Sequence, residues 1–233
     1  MHPMNSMKKE AILVVAAHPD DEVLGCGGTI AAHAARGDDV HVAILAQGLT
    51  SRGAATQAEF DRLHAAAAQA RAILGAATLA LHEFPDNRMD TVALLDVVKV
   101  VEALIEQYRP AIVYTHFASD LNVDHRITHE AVVTACRPLP GHPVERVLCF
   151  EVPSSTEWLP ASSGHPFVPN WFSSIESTLD KKLAALNAYA GEMRSFPHPR
   201  SLEAVKHLAA WRGASAGLVA AEAFVLARQR IVI

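Results

Sequence analysis

Ala11-Ile12-Leu13-Val14-Val15-Ala16-Ala17-His18-Pro19-Asp20-Asp21-Glu22 is the stretch from which the fold can be read. Its first half is apolar and partly β-branched, with no polar alternation, the pattern of a strand buried on both faces inside a parallel sheet. Its second half sets an imidazole and three carboxylates within five positions at the strand's carboxyl end. Ligands bind at that edge of open α/β sheets, and a buried core has no use for charge at such density. The stretch reads as a strand delivering a functional loop.

Working outward, Gly25 to Arg36 reads as a helix opened by Gly25-Cys26-Gly27-Gly28 and stopped by Gly37. Val40 to Ala46 is a second strand, and the polar stretch Leu49 to Thr56 is a loop at the same edge as the opening motif. An Ala-rich helix follows from Gln57 to Leu74, ended by Gly75, then a third strand from Leu79 to Phe84 and the loop Pro85-Asp86-Asn87-Arg88. Val92 to Tyr108 has helical spacing, Pro110 stops it, and Ile112-Val113-Tyr114 gives a fourth strand. Strands alternating with helices imply a Rossmann-like α/β domain, a mostly parallel sheet with helices on both faces. If the first and fourth strands are both central, their loops meet.

Beyond Val144 to Phe150, a further β-rich run, the pattern weakens. Pro153 to Pro169 reads as irregular loop, with helices at Thr178 to Tyr189 and Leu202 to Trp211 and an apolar tail from Leu218 that closes the core.

Composition narrows the class. The 233 residues are 50% hydrophobic and 19% charged, enough for one well-buried domain. A net charge of −5 argues against a nucleic-acid surface. Met1 to Lys9 has no apolar core of a signal peptide, and no window reaches about 18 uninterrupted apolar residues. Cys26, Cys136 and Cys149 are dispersed, matching neither a disulfide framework nor a Cys-rich zinc site. A cytoplasmic enzyme with a small-molecule substrate is the default; the sequence admits a homo-oligomer without requiring one. Of the thirteen histidines, His2, His33, His41, His142, His165, His198 and His207 have no acidic cluster beside them in sequence and receive no role.

The chemistry concentrates in a second cluster after strand four, His116-Phe117-Ala118-Ser119-Asp120-Leu121-Asn122-Val123-Asp124-His125-Arg126. His18 and Asp21 with His125 make a His₂-carboxylate set, three protein ligands with a fourth position open, the pattern of a catalytic zinc site. Asp20, between two ligands, stays free to take a proton. Asp124 is placed to hold a ligand imidazole in one tautomer.

Ala-His-Pro-Asp-Asp-Glu after strand one and Asn-Val-Asp-His-Arg after strand four resemble the PIG-L/LmbE-like family of zinc-dependent N-deacetylases, from Ile12 to about Pro138. The resemblance implies one LmbE-like deacetylase domain over residues 1–233, with residues 1–9 as a flexible tail. It implies one Zn²⁺ on His18, Asp21 and His125, with Asp20 as general base. The substrates it implies are N-acetylated amino sugars, or lipids, thiol precursors or antibiotics that carry such a sugar. Many members place a histidine where this chain has Asn122. An amide can donate a hydrogen bond to an oxyanion but brings neither a cation nor a proton; Asn122 is read as the donor, with His116 the substitute.

Other signals are weighed against plainer readings. His116 and His129 are candidates to stand behind the ligands and steady them; His129 lies at i+4 from His125, a spacing that also suits an ordinary helix-surface residue. Arg52, Asn87 and Arg88 are candidate substrate contacts, suited to hydroxyls and anions but equally to solvated loops. Glu22 reads as backbone support, and Arg62 as structural. Trp211-Arg212-Gly213 yields no derivable role. The glycine turn is a weak dinucleotide signal, because Gly-x-Gly-x-x-Gly is incomplete and Gln47-Gly48 stands where a ribose-binding acid belongs. The rivals are a deacylase of a small non-sugar amide and a non-catalytic nucleotide-binding module.

Overall fold

Ala11–Ala16 forms β1, and residues along it alternate between two cores. Ile12 and Val14 belong to one buried cluster, Leu13 and Val15 to another, and all four are fully buried. The computed structural model describes residues 9–53 and 55–231; the tail expected over 1–9 lies, apart from Lys9, outside them. The chain continues through α1 (Asp21–Arg36), β2 (Asp39–Ala46), α2 (Gln57–Leu74), β3 (Thr78–Phe84), α3 (Leu94–Tyr108), β4 (Ile112–His116) and α4 (Val123–Ala135). It ends with β5 (Arg146–Phe150), β6 (Trp171–Ser174), α5 (Leu179–Ala188), α6 (Leu202–Ala214) and β7 (Ala221–Gln229).

One sheet results, in the order β3-β2-β1-β4-β5-β7-β6. The first five strands are parallel, and β7 and β6 add antiparallel at one end. α1, α2, α5 and α6 cover one face and α3 and α4 the other. The expected Rossmann-like α/β domain is the observed one. β1 pairs directly with β4, and the strand order reverses between them. That switch point is where a crevice opens at the carboxyl ends of a parallel sheet.

Three differences from the sequence reading have physical causes. α1 begins at Asp21, not Gly25, and is broken at Cys26 (φ −147°, ψ 23°); the glycines mark the break. A β-carbon on Gly25 would lie 2.3 Å from the Phe150 ring, so α1 sits on β5 through bare backbone. Backbone groups freed at the break are satisfied by a buried pair from the far end of the chain. Lys182 Nζ donates to the Leu24 carbonyl (2.8 Å) and to Glu222 Oε1 (2.6 Å), while Glu222 accepts from Gly28 N (2.9 Å) and Thr29 N (2.7 Å). The apolar tail from Leu218 is the strand β7, and β6 pairs with it, an edge the sequence pattern did not mark. A short 3₁₀ turn, Met89–Thr91, delays α3 to Leu94.

Cys26, Cys136 and Cys149 are buried and free. Among the described residues no helix is long and apolar enough to cross a membrane.

Candidate metal centre and catalytic cleft

The loop after β1 is a tight turn that folds its own charges inward. Asp21 N donates to the His18 carbonyl (3.2 Å), and His18 N donates back to Asp21 Oδ2 (2.9 Å). Asp20 takes a left-handed backbone (φ 108°), a conformation that costs a non-glycine residue about 1–3 kcal/mol. Its N–H is held by Glu22 Oε2 (3.1 Å), and Glu22 Oε1 accepts from the Tyr189 hydroxyl (2.7 Å). Glu22 supports the turn, as its position suggested.

The loop after β4 is closed by Asp120 and Asn122. Asp120 Oδ1 accepts from Asn122 N (2.9 Å), and Asn122 Oδ1 caps α4 by accepting from Asp124 N (2.8 Å). The cap is therefore Asn122. It also fixes the amide's orientation: Nδ2 points away from the helix and donates to Asn87 Oδ1 (2.8 Å).

The two loops bring His18, Asp21 and His125 together, with one ligand atom of each within 4.8 Å of the others. His18 Nδ1 lies 3.2 Å, and His125 Nε2 3.1 Å, from Asp21 Oδ2. Asp21 Oδ1 and His125 Nε2 are buried without a hydrogen-bond partner. Buried polar atoms are almost always satisfied, so two orphans in one convergent donor set fit a cation. A second cluster, His18, Asp86 and Asp124, meets the same spacing, but its carboxylates are engaged. Asp124 accepts from Asn87 N (2.6 Å) and Met89 N (2.9 Å), and Asp86 from Ser51 N (2.8 Å) and Asn87 Nδ2 (2.9 Å). The first set is the better metal site.

Behind the candidate ligands stand carboxylates, among them Asp124. Its Oδ2 lies 2.9 Å from His18 Nε2, so it orients the histidine of the other loop and not its neighbour His125. Adjacent residues of a helix point in different directions. His125 Nδ1 is held by Asp120 Oδ1 (3.0 Å), a residue of the quoted cluster for which no role was expected. Asp120 is in turn fixed by the hydroxyls of Ser155 and Thr156 (2.6 Å to the latter).

Electrostatics follow from this packing. Burial opposes charge on His18, but the Asp124 and Asp21 carboxylates lift its pKa to about 10. Burial likewise opposes charge on His125, and Asp21 and Asp120 lift it to about 9. Asp120 is held down at about 2 despite burial, by His125 and the two hydroxyls. Burial pushes the Asp20 carboxyl up, the Arg200 guanidinium opposing, and raises Glu22 to about 7. Burial, with His125 stacked on it at 4.0 Å, drives the His116 imidazole well below its ordinary range. Its Nε2 accepts from Ala17 N (2.8 Å). His129 Nδ1 contacts the His116 carbonyl (2.9 Å), so both stand behind the centre.

In front opens a polar cleft of about 400 Å³ whose lining includes His18, Asp20, Asn87, Asn122, Glu192 and Arg200. Arg88 is exposed and does not line it; the Arg52 side chain lies outside the described residues. Arg200, Glu192, Tyr189, Ser155 and Thr156 come from the irregular C-terminal third, where no motif announced them.

Comparison with known proteins follows the same lines. The profile of the PIG-L family, described as GlcNAc-PI de-N-acetylase, matches residues 13–136. The chain belongs to the PIG-L family. This is an enzyme family of the de-N-acetylase type, hydrolases of a linear amide bond, as the two motifs implied. Among PIG-L relatives, the Escherichia coli deacetylase YaiS is 32% identical over 188 residues, 78% of this chain and 91% of that protein. A 4-oxalmesaconate hydratase of Pseudomonas putida is 30% identical over 208 residues, 81% of this chain and 76% of that one. The conserved protein TT1542 of Thermus thermophilus superposes with a TM-score of 0.76 at 28% identity, covering 96% of this chain and 97% of its own.

Proposed function

We propose that this PIG-L protein hydrolyses the N-acetyl group of an amino sugar or sugar conjugate, with one Zn²⁺ held by His18, Asp21 and His125. The observation that carries the reading is the pair of orphaned, buried donor atoms, Asp21 Oδ1 and His125 Nε2, beside the Asp20 carboxyl at the cleft. Zinc bound there supplies a Lewis acid for the attacking water and the acyl oxygen.

The remaining work falls to side chains. Arg200 Nη1 holds Asp20 Oδ2 at 2.8 Å, leaving Asp20 Oδ1 to take the proton of the attacking water. The same carboxyl returns it to the departing amine nitrogen, and acetate and a free amino sugar result. Asn122 spends one Nδ2 hydrogen on Asn87 and has a second for the acyl oxygen. Asp124 and Asp120 keep the two imidazoles in fixed tautomers. Asn87, at φ 52°, presents its amide to substrate hydroxyls.

The family's description as GlcNAc-PI de-N-acetylase supports an N-acetylated sugar or sugar conjugate. Three carboxylates along the cleft, Asp20, Asp86 and Glu192, disfavour a nucleotide's phosphates. Acetate release from a panel of N-acetylated sugars, with and without chelator, tests the proposal. Cleavage of simple amides with every sugar refused overturns the sugar assignment; turnover unaffected by metal removal overturns the zinc site.

The P. putida hydratase relative favours one other reading, addition of water across an electron-poor carbon–carbon double bond by the same residues. Loss of conjugated absorbance from an unsaturated dicarboxylate, with no acetate from sugars, selects it.

A further inference from the structure

The α6 run Trp211-Arg212-Gly213 meets three different surroundings. Trp211 is exposed, and Gly213 lays bare backbone against the chain that enters β7, where a β-carbon would lie 2.7 Å from the Leu218 carbonyl oxygen. Arg212 reaches across to Glu151, the residue directly after β5: Nε donates to Oε1 and Nη2 to Oε2, both at 2.7 Å. A two-pronged guanidinium–carboxylate contact fixes orientation as well as distance. Its guanidinium also stands 5.5 Å over the Phe167 ring, a cation–π contact. The two side chains are only 19% and 14% exposed, so the pair is shielded from the solvent that weakens surface ion pairs.

Packing alone does not settle where Glu151 sits. It and Arg212 line a space on either side, an inner one of about 320 Å³ that reaches Lys182 and an outer groove of about 530 Å³ that reaches Pro199. The pair between them sets the root of the turn that follows, Val152 to Thr156. In that turn Val152 N donates to Thr156 Oγ1 (2.8 Å), which leaves the hydroxyl proton of Thr156 for Asp120 Oδ2 (2.6 Å). The Ser155 hydroxyl takes Asp120 Oδ1, and Asp120 holds His125 Nδ1 at 3.0 Å. An unbroken string of contacts thus runs from α6 to an imidazole of the metal centre.

We propose that Arg212 and Glu151 are positioning residues for His125, acting through the Ser155 and Thr156 hydroxyls and Asp120. The consequence for metal affinity rests on the zinc site argued above; the hold on the imidazole does not.

Zinc affinity, read by competition against a fluorescent chelator, and the His125 Nδ1 proton, read by NMR of metal-free protein, test the proposal. Arg212→Met and Glu151→Gln should each weaken zinc binding by about three- to tenfold, less than the loss of a carboxylate that touches the ligand because Asp120 itself remains. Arg212→Lys, which keeps the charge without the fork, should recover part of the loss. In an Asp120→Asn background neither substitution should weaken zinc binding further, a non-additivity that a merely loosened fold does not produce. Glu151→Gln, which keeps the side-chain shape, carries the test should Arg212→Met fail to fold. Zinc affinity within about twofold of wild type in the folded variants, or losses that add in full to that of Asp120→Asn, overturn the proposal. If the wild-type protein takes up no zinc, the metal reading falls by itself. The Nδ1 proton then decides: shifted or lost to solvent exchange in the variants, the string stands; unmoved, it falls.

Discussion

Arg200 Nη1 lies 2.8 Å from Asp20 Oδ2, across 180 positions of sequence, and so pins a carboxylate whose own backbone is held in a left-handed conformation. A buried carboxylate without that guanidinium takes up a proton and can no longer accept one. Arg200→Met should lower kcat by about 10- to 100-fold, short of the 10²–10⁴ of a lost general base because Asp20 itself remains. KM and zinc content should stay near wild type, and Arg200→Lys should recover part of the loss. An Arg200→Met protein with unchanged kcat removes the pair from the mechanism.

Asp20→Asn keeps the turn, because asparagine also tolerates positive φ, but has no basic oxygen to offer. Turnover should fall by about 10²–10⁴ while metal stoichiometry, measured by atomic absorption, is retained. Near-normal turnover would sink the role assigned to Asp20.

Metal binding should be steeply pH-dependent. In the metal-free protein His18 and His125 hold their protons up to about 10 and 9, above the ordinary value of 6.5. Their protonation stabilises the metal-free fold below pH 6.5, and that stabilisation is lost as pH rises through 9 to 10. An entering cation must displace both protons, so near neutral pH log K should rise by about two per pH unit. Calorimetry in buffers of different ionisation enthalpy would count the protons; a count near zero contradicts the ligand set.

Asp120→Asn and Asp124→Asn test the carboxylates behind the histidines. Each should weaken zinc binding by about 10- to 100-fold without removing a ligand. Competition against a fluorescent chelator reads the loss. Asp124→Asn should act through His18, a distinction the imidazole NMR signals of the two variants can make.

Gly25→Ala drives a methyl group to 2.3 Å from the buried Phe150 ring. Overpacking of this kind costs about 1–3 kcal/mol, or a drop in Tm of about 2–4 °C per kcal/mol for a chain of this length. Thermal unfolding unchanged by the substitution would mean that α1 shifts freely on β5.

The N-terminal half of the fold was legible because its strands are apolar-rich runs, each bounded by glycine or proline. His18, Asp21 and His125 were legible because the charged clusters that carry them come after such strands. Asp124's partner was not, since which of two nearby imidazoles a carboxylate reaches depends on the rotation of α4 against the β1 loop. Arg200 and Glu222 were invisible for a different reason. A lone arginine in a Pro-rich stretch, or a lone glutamate in an apolar strand, carries no period and no neighbouring partner in sequence.

The buried Lys182–Glu222 pair that mends the break in α1 has a practical consequence for anyone trimming the protein. Residues 13–136, the part shared with the family profile, hold every proposed ligand yet are not a separable module. Cut after Cys136, the polypeptide loses the groups that satisfy Leu24, Gly28 and Thr29, the hydroxyls behind Asp120 and the clamp on Asp20. A minimal catalyst must therefore retain α5 and β7, and random truncation libraries should yield no active fragment that ends before Glu222.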